Sequence, residues 1–279
     1  MPRSRPSLAI EFVGLDPSLL ETLNIQMGRD DGSQFWHFLR RAAIIRQFEG
    51  LEAINALIAA NTGNFGVLLL RPAFEELAWI EYLTKHPDIA SDLLLRMTQH
   101  EVATSLAAQF KYAGEEQMRE GGFTPRIFAQ WLFSGAVARG VIRKIGAPLD
   151  WKTGRKILPS MSHTAKQVGR EDEYKFLYHG TSRYVHFSTQ ELGRRVWGRK
   201  GEVRISSEAF RRYWIHFAMS WSSRMFLDLL ITCVVDDLDD VDASLMNEVH
   251  EAQQLLTQFV GKVPIITIGE LQFWPAEPS

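Results

Sequence analysis

The chain has 279 residues, 46% hydrophobic and 23% charged, and its 31 Lys and Arg against 33 Asp and Glu leave a net charge of −2. That composition supplies a sizeable core and excludes both a disordered chain and a molecule that binds polyanions through its overall charge. The length suits one domain, or a core with a small appendage. Eight Trp and 17 Phe point to a core or an interface rich in large aromatics.

The basic opening Met1-Pro2-Arg3-Ser4-Arg5-Pro6-Ser7 runs into Leu8-Ala9-Ile10-Glu11 without a sustained apolar segment, so it does not read as a signal peptide. No stretch reaches 18 uncharged apolar residues, because Arg224 and Asp228 interrupt the longest one, and no membrane span is expected. The single cysteine, Cys233, sits in the apolar run 229–235 and reads as a buried, inert thiol. Nothing argues for an oxidising compartment, and the expected location is cytoplasmic.

In chain order, residues 1–33 read as a lead-in punctuated by Pro2, Pro6 and Pro17. Ser33 is placed to cap a helix over about 34–60, whose apolar positions Phe35, Phe38, Ala42, Ile45, Leu51, Ile54 and Ile58 recur at helical spacing. Arg40, Arg41 and Arg46 fall mostly outside that stripe. A second helix over about 65–85 is apolar nearly all round and is expected at the centre. A third opens at Pro87-Asp88 and closes near Tyr112 and Gly114; a fourth runs over about 125–145.

Residues 149–170 read as irregular and 171–187 as helical, with Gly180 a weak point. From Arg194 to Ile205 the pattern changes to alternation around Gly198-Arg199-Lys200-Gly201, which predicts a β-hairpin. Ser207 is then placed to cap a long helix to about 235. A last helix covers about 241–259, and 263–268 reads as a short strand. The expected architecture is all-α: an irregular helical bundle over 34–260 with a hairpin inserted at about 194–206 and a tail from 261.

Arg71, Glu75 and Tyr82 are the main anomaly of the second helix. At 100° per residue they fall at about 0°, 40° and 20°, one narrow stripe on an otherwise apolar rod. A buried charge must be paired or must meet a charged ligand. The stripe therefore marks either an internal Arg71–Glu75 pair, with Pro72 bending the helix, or a functional pocket. In 178–188, Tyr178, Ser182 and His186 recur every four residues beside His179 and Arg183. If helical, that face offers hydroxyls, two imidazoles and a guanidinium, a set able to hold a phosphate and move a proton. The alternative is a polar helix end whose histidines bond to backbone carbonyls.

The segments Leu70-Arg71-Pro72-Ala73-Phe74-Glu75-Glu76-Leu77 and Tyr178-x-x-x-Ser182-x-x-x-His186-x-Ser188 resemble an uncharacterised bacterial helical family. More distantly the chain is similar, over about residues 35–192, to the HEPN superfamily of helical bundles, many of them metal-independent ribonucleases of toxin–antitoxin and antiphage systems. The resemblance implies His186 as base on a ribose 2′-hydroxyl, Arg183 or Arg71 stabilising charge on the phosphorane, and no metal. Those nucleases separate Arg and His by four to six residues, whereas Arg183-x-x-His186 has two between.

Walker and Rossmann glycine loops, His-Glu-x-x-His, paired-cysteine zinc spacings, repeated Glu-x-x-His and Gly-x-Ser-x-Gly are all absent from the sequence, and no cofactor is expected. Charge is unevenly spread. Seven basic residues lie in 194–212 and eight in 139–170, against seven acidic and no basic residues in 236–251. Arg194, Arg195, Arg199, Lys200 and Arg204 interleaved with Trp197 could track an RNA backbone and stack a base. Alternatively the acidic stretch docks on the basic one, within the chain or in a symmetric neighbour. Two expectations therefore stand: a HEPN-like protein acting on RNA through Arg71, Glu75, Arg183 and His186, or a non-catalytic bundle that binds a partner protein or small ligand.

Overall fold

The computed structural model describes residues 35–151, 156–199, 202–206, 208, 210–237, 243–260, 264–267 and 270. The lead-in over 1–33, the caps Ser33 and Ser207, Lys200 of the hairpin turn and most of the tail from 261 lie outside these residues, as do the side chains of Trp197 and Arg199.

The described elements are α1 (Phe35–Ala59), a 3-10 turn (Gly63–Gly66), α2 (Val67–Thr84), α3 (Pro87–Glu120), α4 (Pro125–Gly146), α5 (Met161–Gln167), α6 (Glu171–Val185), α7 (Thr189–Arg195), β1 (Val196–Arg199), β2 (Glu202–Ile205), α8 (Arg211–Asp237) and α9 (Ala243–Val260). The fold is all-α, and the hairpin is its small β insertion. No helix among the described residues is long and apolar enough to cross a membrane. The expected strand over 263–268 does not form across its described part, 264–267.

The chain divides into two compact units: one holds 40–81 and the described residues from 165 onward, the other 82–164 with the start of α1. Nothing in the composition marks this division, because its edges fall inside α1, α2 and α5 rather than in a linker.

In the first unit α8 is the central helix. Residues 217–223 and 225–230 are buried without interruption, which no amphipathic surface helix shows. The sequence pattern favours α2 for that place, but α2 buries Val67, Leu70, Phe74, Leu77, Ala78 and Ile80 while Leu68 stays 37% exposed and Pro72 lies on the open side. At that position the missing Pro72 N–H is cheap, because solvent can satisfy the freed carbonyl one turn back. The 3-10 turn packs against α8 because Gly66 has no side chain. A Cβ there would stand 3.2 Å from that of Ala218 and 3.1 Å from Ile54 Cγ1.

The buried face of α1 is rotated from the expected one. Within this unit it reads Arg40, Ala43, Ile44, Gln47, Leu51 and Ile54. Arg40, expected outside the apolar stripe, is 1% exposed. Its Nη2 donates to the carbonyls of Thr232 (3.0 Å) and Cys233 (2.7 Å), near the negative end of α8. Gln47 Nε2 likewise donates to the Ala73 carbonyl at 3.0 Å.

The second unit is built on the antiparallel pair α3 and α4. Phe110 stacks on Phe128 with centroids 4.5 Å apart, and seven residues back on α3 Ala103 meets Gly135, seven residues on along α4. A Cβ on Gly135 would lie 2.3 Å from that of Ala103, so the close crossing requires glycine. Thr124 caps α4 by accepting from the Ile127 N–H at 3.2 Å. α3 continues beyond the expected end near Gly114, but Gly114 breaks its path with φ 84° and ψ 167°, a conformation glycine tolerates best.

Candidate functional site

Arg71 and Glu75, one helical turn apart on α2, form an ion pair of 2.9 Å with each side chain 34% exposed. The hydrogen bond to Glu75 raises the Arg71 pKa above its ordinary value against the pull of burial. The Arg71 guanidinium lies over the Tyr178 ring of α6, 5.3 Å from its centroid. Tyr178 in turn neighbours Tyr174 (5.8 Å) and His179 (5.9 Å, edge-on), and Tyr174 neighbours Phe74 of α2 (5.9 Å). The two polar segments, about a hundred residues apart in sequence, therefore meet through Arg71 and Tyr178. Tyr174 is the member the motif reading omits. Its signal was the extension of the four-residue spacing one turn toward the helix start.

Tyr82 does not join this group. It is 2% exposed and belongs to the second unit, where its hydroxyl accepts a 2.9 Å hydrogen bond from Trp151 Nε1. Burial raises its pKa, and the indole N–H partly offsets that. A shared angular stripe says nothing about which neighbour each turn of a helix meets.

His186, eight residues beyond Tyr178, stands about 12 Å further along α6 at 1.5 Å per residue. It caps the helix in extended conformation, its backbone N–H donating to the Ser182 carbonyl at 3.0 Å, and its side chain is exposed. Arg183 is half-buried, and its Nη1 has no hydrogen-bond partner among the described residues. Of the expected catalytic four, Arg71 and Glu75 thus sit at one end of an α6 face that carries the exposed Tyr178 and His179, and Arg183 and His186 sit at the other.

The expected basic strip is reorganised. Arg194 and Arg195 belong to the last turn of α7, not to the hairpin. Arg194 is 4% exposed and spends its donors inside the protein: Nε and Nη2 on Glu270 (2.7 and 3.1 Å), Nη1 on Glu191 (2.5 Å) and Nη2 on the Ile265 carbonyl (2.7 Å). It also lies 4.6 Å from the Trp214 centroid and 5.3 Å from that of Phe210. A guanidinium held this way cannot reach a polyanion, which corrects the nucleic-acid role expected of it. Burial pushes the Glu191 carboxyl up against the charge of Arg194. For Glu270 the Arg194 hydrogen bond and the Thr267 N–H outweigh burial and bring it down. Arg195 lies 6.0 Å from the Phe65 ring, Arg204 is exposed, and the hairpin register pairs Trp197 with Arg204 and Arg199 with Glu202.

Tyr213 packs beside this cluster, 4.9 Å from Trp214, its buried hydroxyl having no hydrogen-bond partner among the described residues. Burial pushes its pKa up to about 12. The unfolded phenol titrates near 10, so the folded form keeps this contribution to stability below about pH 10 and loses it as pH rises toward 12. Tyr213→Phe is expected to leave urea stability at pH 7 unchanged or slightly higher and to flatten its alkaline decline. A clear loss at pH 7 would show that the hydroxyl does have a structural partner.

A second charge network, also missed in the sequence, joins Arg170 and Arg224 to Glu81, Glu173 and Asp228 within the first unit. Among the described residues no three His, Cys, Asp or Glu side chains gather as metal ligands would.

A family model described as "Family of unknown function (DUF5677)" matches residues 39–203, more than half of the chain. The chain belongs to this family. No curated protein and no solved structure matches it. The DUF5677 stretch contains Arg71, Glu75 and the whole of α6 and α7, but it ends inside the hairpin and leaves out α8 and Glu270, the main partner of Arg194.

Proposed function

We propose that the protein binds single-stranded RNA along the exposed face of α6 and cleaves it without a metal, in the manner of a HEPN-like toxin or antiphage-defence ribonuclease acting in the cytoplasm. The carrying observation is the placement of Arg71 over Tyr178, which makes one surface of two distant polar segments. Tyr178 at 38% and Phe187 at 84% exposure offer stacking platforms at the two ends of that face. Arg71 and Arg183 would hold phosphates, and exposed His186 would take the proton from a ribose 2′-hydroxyl. The freed oxygen attacks the adjacent phosphorus and expels the 5′-oxygen, which takes a proton from solvent, leaving a 2′,3′-cyclic phosphate and a 5′-hydroxyl end.

The test is cleavage of a labelled single-stranded RNA in excess EDTA by wild type, His186→Ala and Arg183→Ala. Loss of about 10²–10⁴-fold in His186→Ala, with its circular dichroism unchanged, is the expected result. Equal RNA turnover, or none in any of the three folded proteins, would remove the enzyme reading. One observation favours the other reading, a non-catalytic bundle binding a partner protein or small ligand. Arg71 is already neutralised by Glu75 and covered by Tyr178, as a purely structural pair at the α2–α6 crossing would be.

A further inference from the structure

In the second unit a cleft of about 420 Å³ is lined by His100 of α3, Arg139 and Arg143 of α4, and Lys156, with Ile157, Leu158 and Pro159 completing the wall. Four nitrogen-bearing side chains converge there, and among the described residues no carboxylate lines it. None of the four forms an ion pair among the described residues, whereas Arg96 and Arg119 on α3 are each paired one turn away. Unneutralised positive charge focused in a concave site draws an anion.

The placement follows from the helix pair. Gly135, Ala138, Ile142 and Gly146 form the buried stripe of α4, and Arg139 and Arg143, each one residue beyond a stripe member and four apart, flank it on one side. The stripe's small residues let α3 approach, which sets His100 beside the first arginine. Trp151 packs over Gly146, where a Cβ would lie 2.3 Å from Trp151 Cε3, and residues 156–159 form the far wall.

From this arrangement we infer that the cleft is a binding site for a nucleotide, its phosphate held by Arg139, Arg143 and Lys156 and its base or sugar laid on Ile157, Leu158 and Pro159. Two guanidinium forks one turn apart suit the several oxygens of a phosphate. The apolar wall would leave a free inorganic ion without contact on one side, and the volume falls in the range of small-ligand sites rather than of an open track for a strand. The site shares no residue with the α6 face and stands whether or not that face cleaves RNA.

Titration calorimetry of the full chain with AMP, adenosine, inorganic phosphate and a single-stranded 12-mer RNA tests the inference, using wild type, Arg139→Gln, Arg143→Gln and the double variant. The changes are at exposed helical positions, and glutamine keeps helix propensity. One AMP per chain is expected to bind, weakening steeply with salt, about tenfold weaker in each single variant and not measurably in the double. Phosphate should compete weakly with AMP, and adenosine should not bind. Equal binding of AMP and adenosine, AMP affinity unchanged in the double variant, or RNA binding without AMP binding would each overturn it.

Discussion

Arg170→Met is expected to destabilise the protein by about 3–5 kcal/mol, the scale for removing one partner of a buried charge network. Arg170 grips Glu81 with two parallel hydrogen bonds, Nη2 to Oε1 at 2.6 Å and Nε to Oε2 at 2.7 Å, while Nη1 reaches Glu173 at 2.9 Å and Asp228 at 2.8 Å. The Asp228 side chain is 1% exposed on the central helix α8, and solvent cannot replace the lost charge. Burial alone would lower the Arg170 pKa, but the Glu81 hydrogen bond and the charges of Asp228, Glu81 and Glu173 hold it well above the ordinary arginine value. With Arg170 gone, Arg224 and Gln253 remain to the three carboxylates, Gln253 Nε2 at 2.9 Å from Asp228. Urea unfolding at pH 7 measures the loss. Arg170→Lys, which keeps the charge and loses the fork, should fall between wild type and Arg170→Met and provides the test should the methionine variant not fold. A loss under about 1 kcal/mol in both would show that the network contributes little.

Arg194→Met should bring a loss of the same order, for the same reason, with Glu191 and Glu270 left buried without their counter-charge. Glu270→Gln alone should cost less, and the double change less than the sum of the two, because the pair acts as a unit. The lowered Glu270 pKa makes its share of stability present above the ordinary carboxylate range and lost on acidification, so Arg194→Met should unfold with a weaker acid dependence. This variant also separates stability from binding. Measured where it is fully folded, its RNA affinity and salt slope should match wild type, and a drop in either with the fold intact would put Arg194 back among the phosphate contacts.

Much of the fold could be read from periodicity, because the main helices obey it: α2, α6 and α9 run close to their expected spans, and the hairpin forms where alternation begins. What sequence misses is set by distance along the chain. Arg40 looks like a solvent residue until Thr232 and Cys233 accept from it, and Arg194 looks like a free cation until Glu270 folds back. The helix α5 is too short for a periodic signal and lies between Pro159 and Gly169, which read as loop. The two-unit division is invisible because continuous helices carry the chain across it. At the candidate site the spacing marks Arg71 and Glu75 on one helix and Tyr178 on another, while the contact of Arg71 with Tyr178 follows from packing across about a hundred residues. The same spacing groups Tyr82 with Arg71, since angular position does not reveal that Trp151 claims its hydroxyl.

The guanidinium of Arg40 has a consequence for biosynthesis. Its acceptors arrive 192 and 193 residues later in the chain. The α3–α4 pair, joined by a short turn, can close while the ribosome is still adding residues beyond it, because every partner it needs is already out. The first unit must wait for α8, holding exposed in the meantime the apolar faces of α1, α2 and α6. A fragment ending where the family match ends, at residue 203, would therefore lack the helix against which those faces are buried.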